Sequence, residues 1–217
     1  MPENEANLLF CQLLENNKRI AEEKQDLLEK YKDGQKPKIA LITCSDSRMP
    51  LSLYGNIEDM MGNVFVGKDI GNTYEYSDAV VDYAVLHLNI PVVVILGHTD
   101  CGTVKAAAGD FENETEAIKE RLSAIKKSFI DKENHIECVE NNVHRAIQKI
   151  EEKYKDKINN KELCVVGCVC DTAGAYNNLC GLTYIVNING IKDKETIKSH
   201  KLLENMEDGL KEKTIAK

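Results

Sequence analysis

Apolar residues recur at helical spacing through the first thirty-odd positions. Leu8, Leu9, Leu13, Leu14, Ile20, Leu27 and Leu28 alternate with Gln, Glu, Asn and Lys. This predicts a helix over residues 4–32, closed by Asp33-Gly34 and Pro37. A helix with one apolar stripe must pack, either on its own body or across a partner subunit. The pattern then changes. KIALIT at 38–43, NVFVGK at 63–68, IPVVVIL at 90–96 and LCVVGCVC at 163–170 are short runs, rich in β-branched residues, of the length of buried strands. LTYIVNI at 182–188 alternates as a strand at a sheet edge does. Between these runs the spacing is helical at 77–88, at 103–109 up to Gly109, at 114–156 with a break near Asp131–Asn134, and at 194–213.

Strands that alternate with helices predict an α/β layer architecture around a mostly parallel sheet flanked by helices. With 217 residues and no repeat, linker or low-complexity tract, the chain is expected to form one domain over 1–217. Residues 1–36 would be a helical arm, and 37–217 the core with its C-terminal helix.

Composition narrows the function classes. No run approaches the ~20 apolar residues that span a bilayer, so no membrane partner is expected. MPENEANLLF lacks a basic stretch followed by an apolar one, so no signal peptide is expected and the cytoplasm is the expected compartment. Asp and Glu outnumber Lys and Arg 36 to 28, for a net charge of −8. That balance excludes a basic surface for nucleic acid. Eight cysteines in a cytosolic chain point to metal ligands, catalytic groups or buried apolar filler rather than disulfides.

In open α/β sheets ligands collect beyond the carboxyl ends of the strands. Cys44 directly follows one strand, His98 follows another after Gly97, and Cys101 begins the next helix. Parallel neighbours lie ~4.8 Å apart, so side chains from both tips reach a single ion. Two thiolates and an imidazole suit Zn²⁺, and three protein ligands leave a fourth position open, as catalytic zinc requires. Such a site has no net charge and acidifies its water less than an all-His site does. Asp46 is placed to accept a hydrogen bond from that water, and Arg48 to pair with Asp46 and keep it off the metal. The amide of Gly102, at a helix start, is a candidate donor to a substrate oxygen.

CSDSR at 44–48 and GHTDCG at 97–102 resemble the two zinc motifs of the β-class carbonic anhydrases, as does the intervening GNVFVGKDIGN at 62–72 with the helix after it. The resemblance runs firmly from about Ile39 to Gly109 and more weakly to VVGCVCD. It implies one zinc on Cys44, His98 and Cys101, with the Asp46–Arg48 dyad beside it. It implies reversible hydration of carbon dioxide to bicarbonate and a proton, by attack of zinc-bound hydroxide. It also implies a homodimer or higher homo-oligomer in which the N-terminal helix reaches over the neighbour. Lys68 and Asp69 stand where the family usually has Arg-Asn, and Leu41 stands where bicarbonate-gated members have Trp. Gating of that form is therefore not expected.

The same ligands serve relatives that hydrolyse carbonyl sulfide or carbon disulfide, so that chemistry stays open beside the first. Two other classes are open as well. One is a non-catalytic zinc protein with Asp46 locked on the metal, and the other is a thiol redox protein using Cys168 and Cys170. Those two cysteines share a strand face, and buried filler is the plainer account of them. His87 is read as a helix cap, and His135, His144 and His200 as surface residues on charged helices.

Overall fold

The computed structural model describes residues 2–176 and 179–216. Its centre is a five-stranded sheet of β1 (Ile39–Cys44), β2 (Val64–Asp69), β3 (Val92–His98), β4 (Cys164–Cys170) and β5 (Thr183–Ile188), in the order β2-β1-β3-β4-β5. The first four strands are mutually parallel and β5 runs antiparallel to β4 at the edge, with a register irregularity at Gly167/Cys168. The apolar runs formed the strands as expected, and the alternating run took the edge.

Register decides where the strand tips lie. Thr43 pairs with Leu96 and Cys44 with Asp69, so β1 and β2 stop together. β3 runs one residue further, and its last residue, His98, pairs with Cys170. Cys44 and His98 thus emerge at the same edge of the sheet.

Each face has its own core. One gathers Ala40, Ile42, Cys44, Val93, Ile95 and Val165 under the helix His135–Lys153. Glycine allows that helix to approach: a Cβ on Gly167 would lie 2.6 Å from Ile147 Cδ1, and one on Gly97 would lie 2.9 Å from Val143 Cγ2. The opposite face carries Leu41, Leu96, Val166, Cys168 and Ile185, covered in part by Ile197, Leu203 and Ile215. Part of it is an apolar hollow of about 320 Å³ bounded by Leu41, Tyr54, Val64, Val94 and Leu96.

The helical segments are more interrupted than the spacing implies. The leading helix spans Pro2–Glu23, and a second, Gln25–Tyr31, follows Lys24. The 77–88 segment is a helix over Asp78–Asp82 that ends as a π turn over Tyr83–His87. The 114–156 stretch divides into Glu116–Lys126, His135–Lys153 and the start of Lys155–Asn159. The expected terminal helix over 194–213 is three pieces, Lys194–Lys198, a 3-10 turn Lys201–Leu203 and Asp208–Thr214. His200 explains the first break, because its extended backbone and its Nδ1, which accepts the N–H of Leu202, begin a new turn. Among the described residues no helix is long and apolar enough to cross a membrane.

Candidate metal centre

Cys44 closes β1, His98 closes β3, and Cys101 precedes the first turn of the helix Gly102–Ala108. Their ligand atoms lie within 4.8 Å of one another, the only such group of His, Cys, Asp and Glu among the described residues. All three side chains are buried, His98 completely. The positive φ of Asp100, +57°, turns the chain so that Cys101 comes back toward His98.

The electrostatics favour a bound cation. Cys44 Sγ accepts the amides of Gly71 at 3.3 Å and Asp46 at 3.4 Å. The neighbouring Cys101 thiol, followed by His98 and these amides, brings the Cys44 thiol down to about 4, against the cost of burial. Cys101 is pushed up by the Cys44 sulfur and by burial. The pair therefore holds at least one thiolate at neutral pH. His98 Nδ1 lies 3.0 Å from the carbonyl of Thr99, which can only accept, so Nδ1 carries the proton. Nε2 is left with its lone pair, buried and without a hydrogen-bond partner among the described residues. A bare buried acceptor beside a thiolate is costly unless a Lewis acid fills the gap. Two sulfurs and an imidazole suit a borderline-soft transition metal and not the oxygen-seeking Ca²⁺ or Mg²⁺. Cys44, His98 and Cys101 therefore suit a zinc ion.

Asp46 stands at the rim, its Oδ2 3.7 Å from His98 Nε2. Arg48 grips it. The Arg48 amide and Nε donate to Oδ1 at 2.9 and 3.0 Å, and Nη2 donates to Oδ2 at 2.8 Å. These bonds hold the Asp46 carboxyl well below the usual carboxylate range. Gly102 is exposed one residue beyond Cys101, and a Cβ there would meet nothing within 4 Å.

Further groups that the sequence reading did not select support the centre. Asp100 takes Arg48 from the other side, and Lys105 pairs with Asp100. Buried Asp171 accepts the Thr99 hydroxyl at 2.9 Å and the amides of Ala175 and Tyr176 at 2.8 Å each. Thr172 donates to the same Thr99 carbonyl that orients His98. The β3–β4 register brings this loop to the tip of β3.

The histidines depart in part from the surface assignment. His144 is half-buried, and burial, with Lys192 nearby, brings it down to about 4 while Asn187 Nδ2 donates to its Nδ1 at 3.2 Å. His135 is half-buried, and it is lowered by burial and by Lys105. His87 stacks on Tyr83 at 5.1 Å. Cys168 and Cys170 are buried in the second core, where burial raises Cys168 to about 12, a packed and unreactive thiol.

Fold and site together define an α/β protein whose Cys-His-Cys metal centre is built from two parallel strand tips. A family model described as "Carbonic anhydrase" matches residues 39–176. The chain belongs to the carbonic anhydrase family, in its β class. It is 38% identical over 88 residues to a carbonic anhydrase of Synechococcus elongatus, covering 37% of this chain and 32% of that protein. It is 33% identical over 135 residues to one from Saccharomyces cerevisiae, covering 59% and 58%. The matched segment thus spans about a third to three fifths of these relatives. Among solved structures, a tetrameric β-carbonic anhydrase from Sordaria macrospora superposes with a TM-score of 0.69 at 27% identity, over 83% of this chain and 98% of that one. CafA of Aspergillus fumigatus shares the fold with a TM-score of 0.67 at 24% identity, over 90% and 96%.

Proposed function

We propose that the chain catalyses the reversible hydration of carbon dioxide to bicarbonate and a proton, with one zinc ion held by Cys44, His98 and Cys101. The observation that carries this is the buried, unpartnered Nε2 of His98 beside two sulfurs, next to an acid that Arg48 already occupies. When bound, zinc supplies the Lewis acidity that makes a water nucleophilic near neutral pH. The chain's residues do the rest. Asp46, kept ionised by Arg48, accepts a hydrogen bond from the attacking water and orients it toward the substrate carbon. Because its pKa is held low, Asp46 serves as acceptor and not as the proton store at pH 7. The Gly102 amide donates to a substrate oxygen. Carbonyl sulfide and carbon disulfide fit the same steps and are the second reading. The grip of Arg48 on Asp46 argues against a scaffold protein in which Asp46 closes the site.

On this reading residues 37–217 are the catalytic body and residues 1–36 an arm within one domain. A homodimer or higher homo-oligomer is supported by the arm's uncovered leucines. A reducing compartment such as the cytoplasm suits free thiolate ligands.

Metal analysis of the purified chain should give about one zinc per chain, and Cys44→Ser should lose most of it. Stopped-flow CO₂ hydration, run beside sulfide release from carbonyl sulfide, ranks the two substrates. Activity on carbonyl sulfide with none on CO₂ would overturn the first choice.

A further inference from the structure

Arg48 is shared between carboxylates on two different loops. Its Nε and one Nη2 hydrogen serve Asp46. Its Nη1 donates to Asp100 Oδ2 and its other Nη2 hydrogen to the Asp100 carbonyl, both at 3.0 Å. The two acids use different hydrogens of one planar group and do not compete for it. Asp100 is itself fixed. Lys105, on the helix that follows Cys101, pairs with Oδ1, and the backbone of Asp100 sits in the left-handed region at φ +57°, which Asp and Asn tolerate better than other side chains. Asp46, Arg48, Asp100 and Lys105 thus alternate in charge and sum to zero.

The clasp also crosses between the two loops that carry the sulfur and imidazole groups. Asp46 and Arg48 follow Cys44, whereas Asp100 lies between His98 and Cys101. We propose that Asp100, backed by Lys105, is a positioning residue that anchors Arg48, ties the two ligand loops together and keeps Asp46 turned away from the metal. The proposal rests on the zinc reading above. For Asp46 to turn inward it must abandon Arg48, and Arg48 cannot follow while Asp100 holds it. Without Asp100, the partly exposed Arg48 side chain is free to swing into solvent, and Asp46 loses its fixed partner.

The zinc-loaded chain is compared with Asp100→Asn, which keeps the left-handed backbone, and with Lys105→Met. With Asp46→Asn already in place, so that no fourth carboxylate reaches the metal, zinc release to excess chelator is expected to be about two- to fivefold faster when Asp100→Asn is added, as the loss of a partly exposed ion pair implies, and less affected when Lys105→Met is added. Cobalt-substituted Asp100→Asn should show a visible spectrum shifted toward coordination by a carboxylate. That shift should be absent when Asp46→Asn is added. A parent-like spectrum in Asp100→Asn would overturn the proposal, and so would a shift that survives Asp46→Asn or unchanged release when Asp100→Asn is added to Asp46→Asn. A parent that takes up neither zinc nor cobalt would instead sink the zinc reading. The clasp is then read in the metal-free chain from alkylation of Cys44 and Cys101. Faster alkylation in Asp100→Asn supports a tie between the loops, and equal rates overturn it.

Discussion

Arg48 holds Asp46 through three hydrogen bonds, one from its amide and two from its guanidinium. An Arg48→Gln variant keeps the amide contact but loses the charge and the fork. It should bind zinc while losing about 10–100-fold in CO₂ hydration, the usual cost of removing a partner of this kind. Unchanged stopped-flow turnover would remove Arg48 from the mechanism. The grouping of Cys44, His98 and Cys101 and the pairing of Asp46 with Arg48 are legible in the sequence because each stretch is short and begins at the end of an apolar run. Asp100 lies inside the same stretch and was not singled out, since spacing alone does not tell which way a residue with positive φ aims its carboxylate. Asp171 and Thr172 are more than seventy positions from His98 and reach it only through the pairing of His98 with Cys170. No local pattern carries that register.

The helix His135–Lys153 lies on the sheet where glycine leaves room for it. Gly167→Ala would set a methyl group 2.6 Å from Ile147 Cδ1 and 2.8 Å from Val143 Cγ1. Overpacking of this kind should cost about 1–3 kcal/mol in a urea melt, with the zinc content intact. The same helix carries His144, whose pKa is lowered to about 4 by burial and by Lys192. A histidine lowered in the folded state adds stability above its unfolded pKa of ~6.5, and that stability is lost as the pH falls from there toward about 4. His144→Gln should therefore narrow the gap between urea midpoints at pH 7.5 and 4.5. An equal gap in parent and variant would show that His144 does not contribute to the acid sensitivity. At this scale strands are more legible in the sequence than helix ends. A strand buried on both faces is apolar throughout and stops where the run stops. Helical spacing of apolar residues continues across breaks such as Lys24 and Ser199–His200, where the local backbone conformation and, at His200, a side-chain cap end the turn.

Among the described residues, apolar surface is left uncovered on the leading helix and on one sheet face. On the leading helix Leu8, Leu9, Phe10, Leu13 and Leu14 are 55% to 63% exposed, although Ile20 and Leu28 nearer the body line a recess with Ile57, Met60 and Met61. The sheet face of Leu41 and Leu96 keeps its apolar hollow. Full burial of a Leu or Phe side chain contributes roughly 1.5–3 kcal/mol. Five such groups, each more than half exposed, offer several kcal/mol to any surface that covers them, enough to matter against the cost of association. On the homo-oligomer proposed above, a second copy of the chain brings its own arm and hollow to both surfaces under one symmetry operation. Leu9 and Leu13 lie one turn apart on the same helix face, so Leu9→Glu with Leu13→Glu places two charges in the middle of the stripe. Sedimentation should move from a dimer or larger species to the monomer, and the melting temperature should lose its dependence on protein concentration. The arm contributes no residue to the group of Cys44, His98 and Cys101, so zinc content should hold. A parent that sediments as a monomer, or a double variant that assembles as the parent does, would assign the stripe to some other cover.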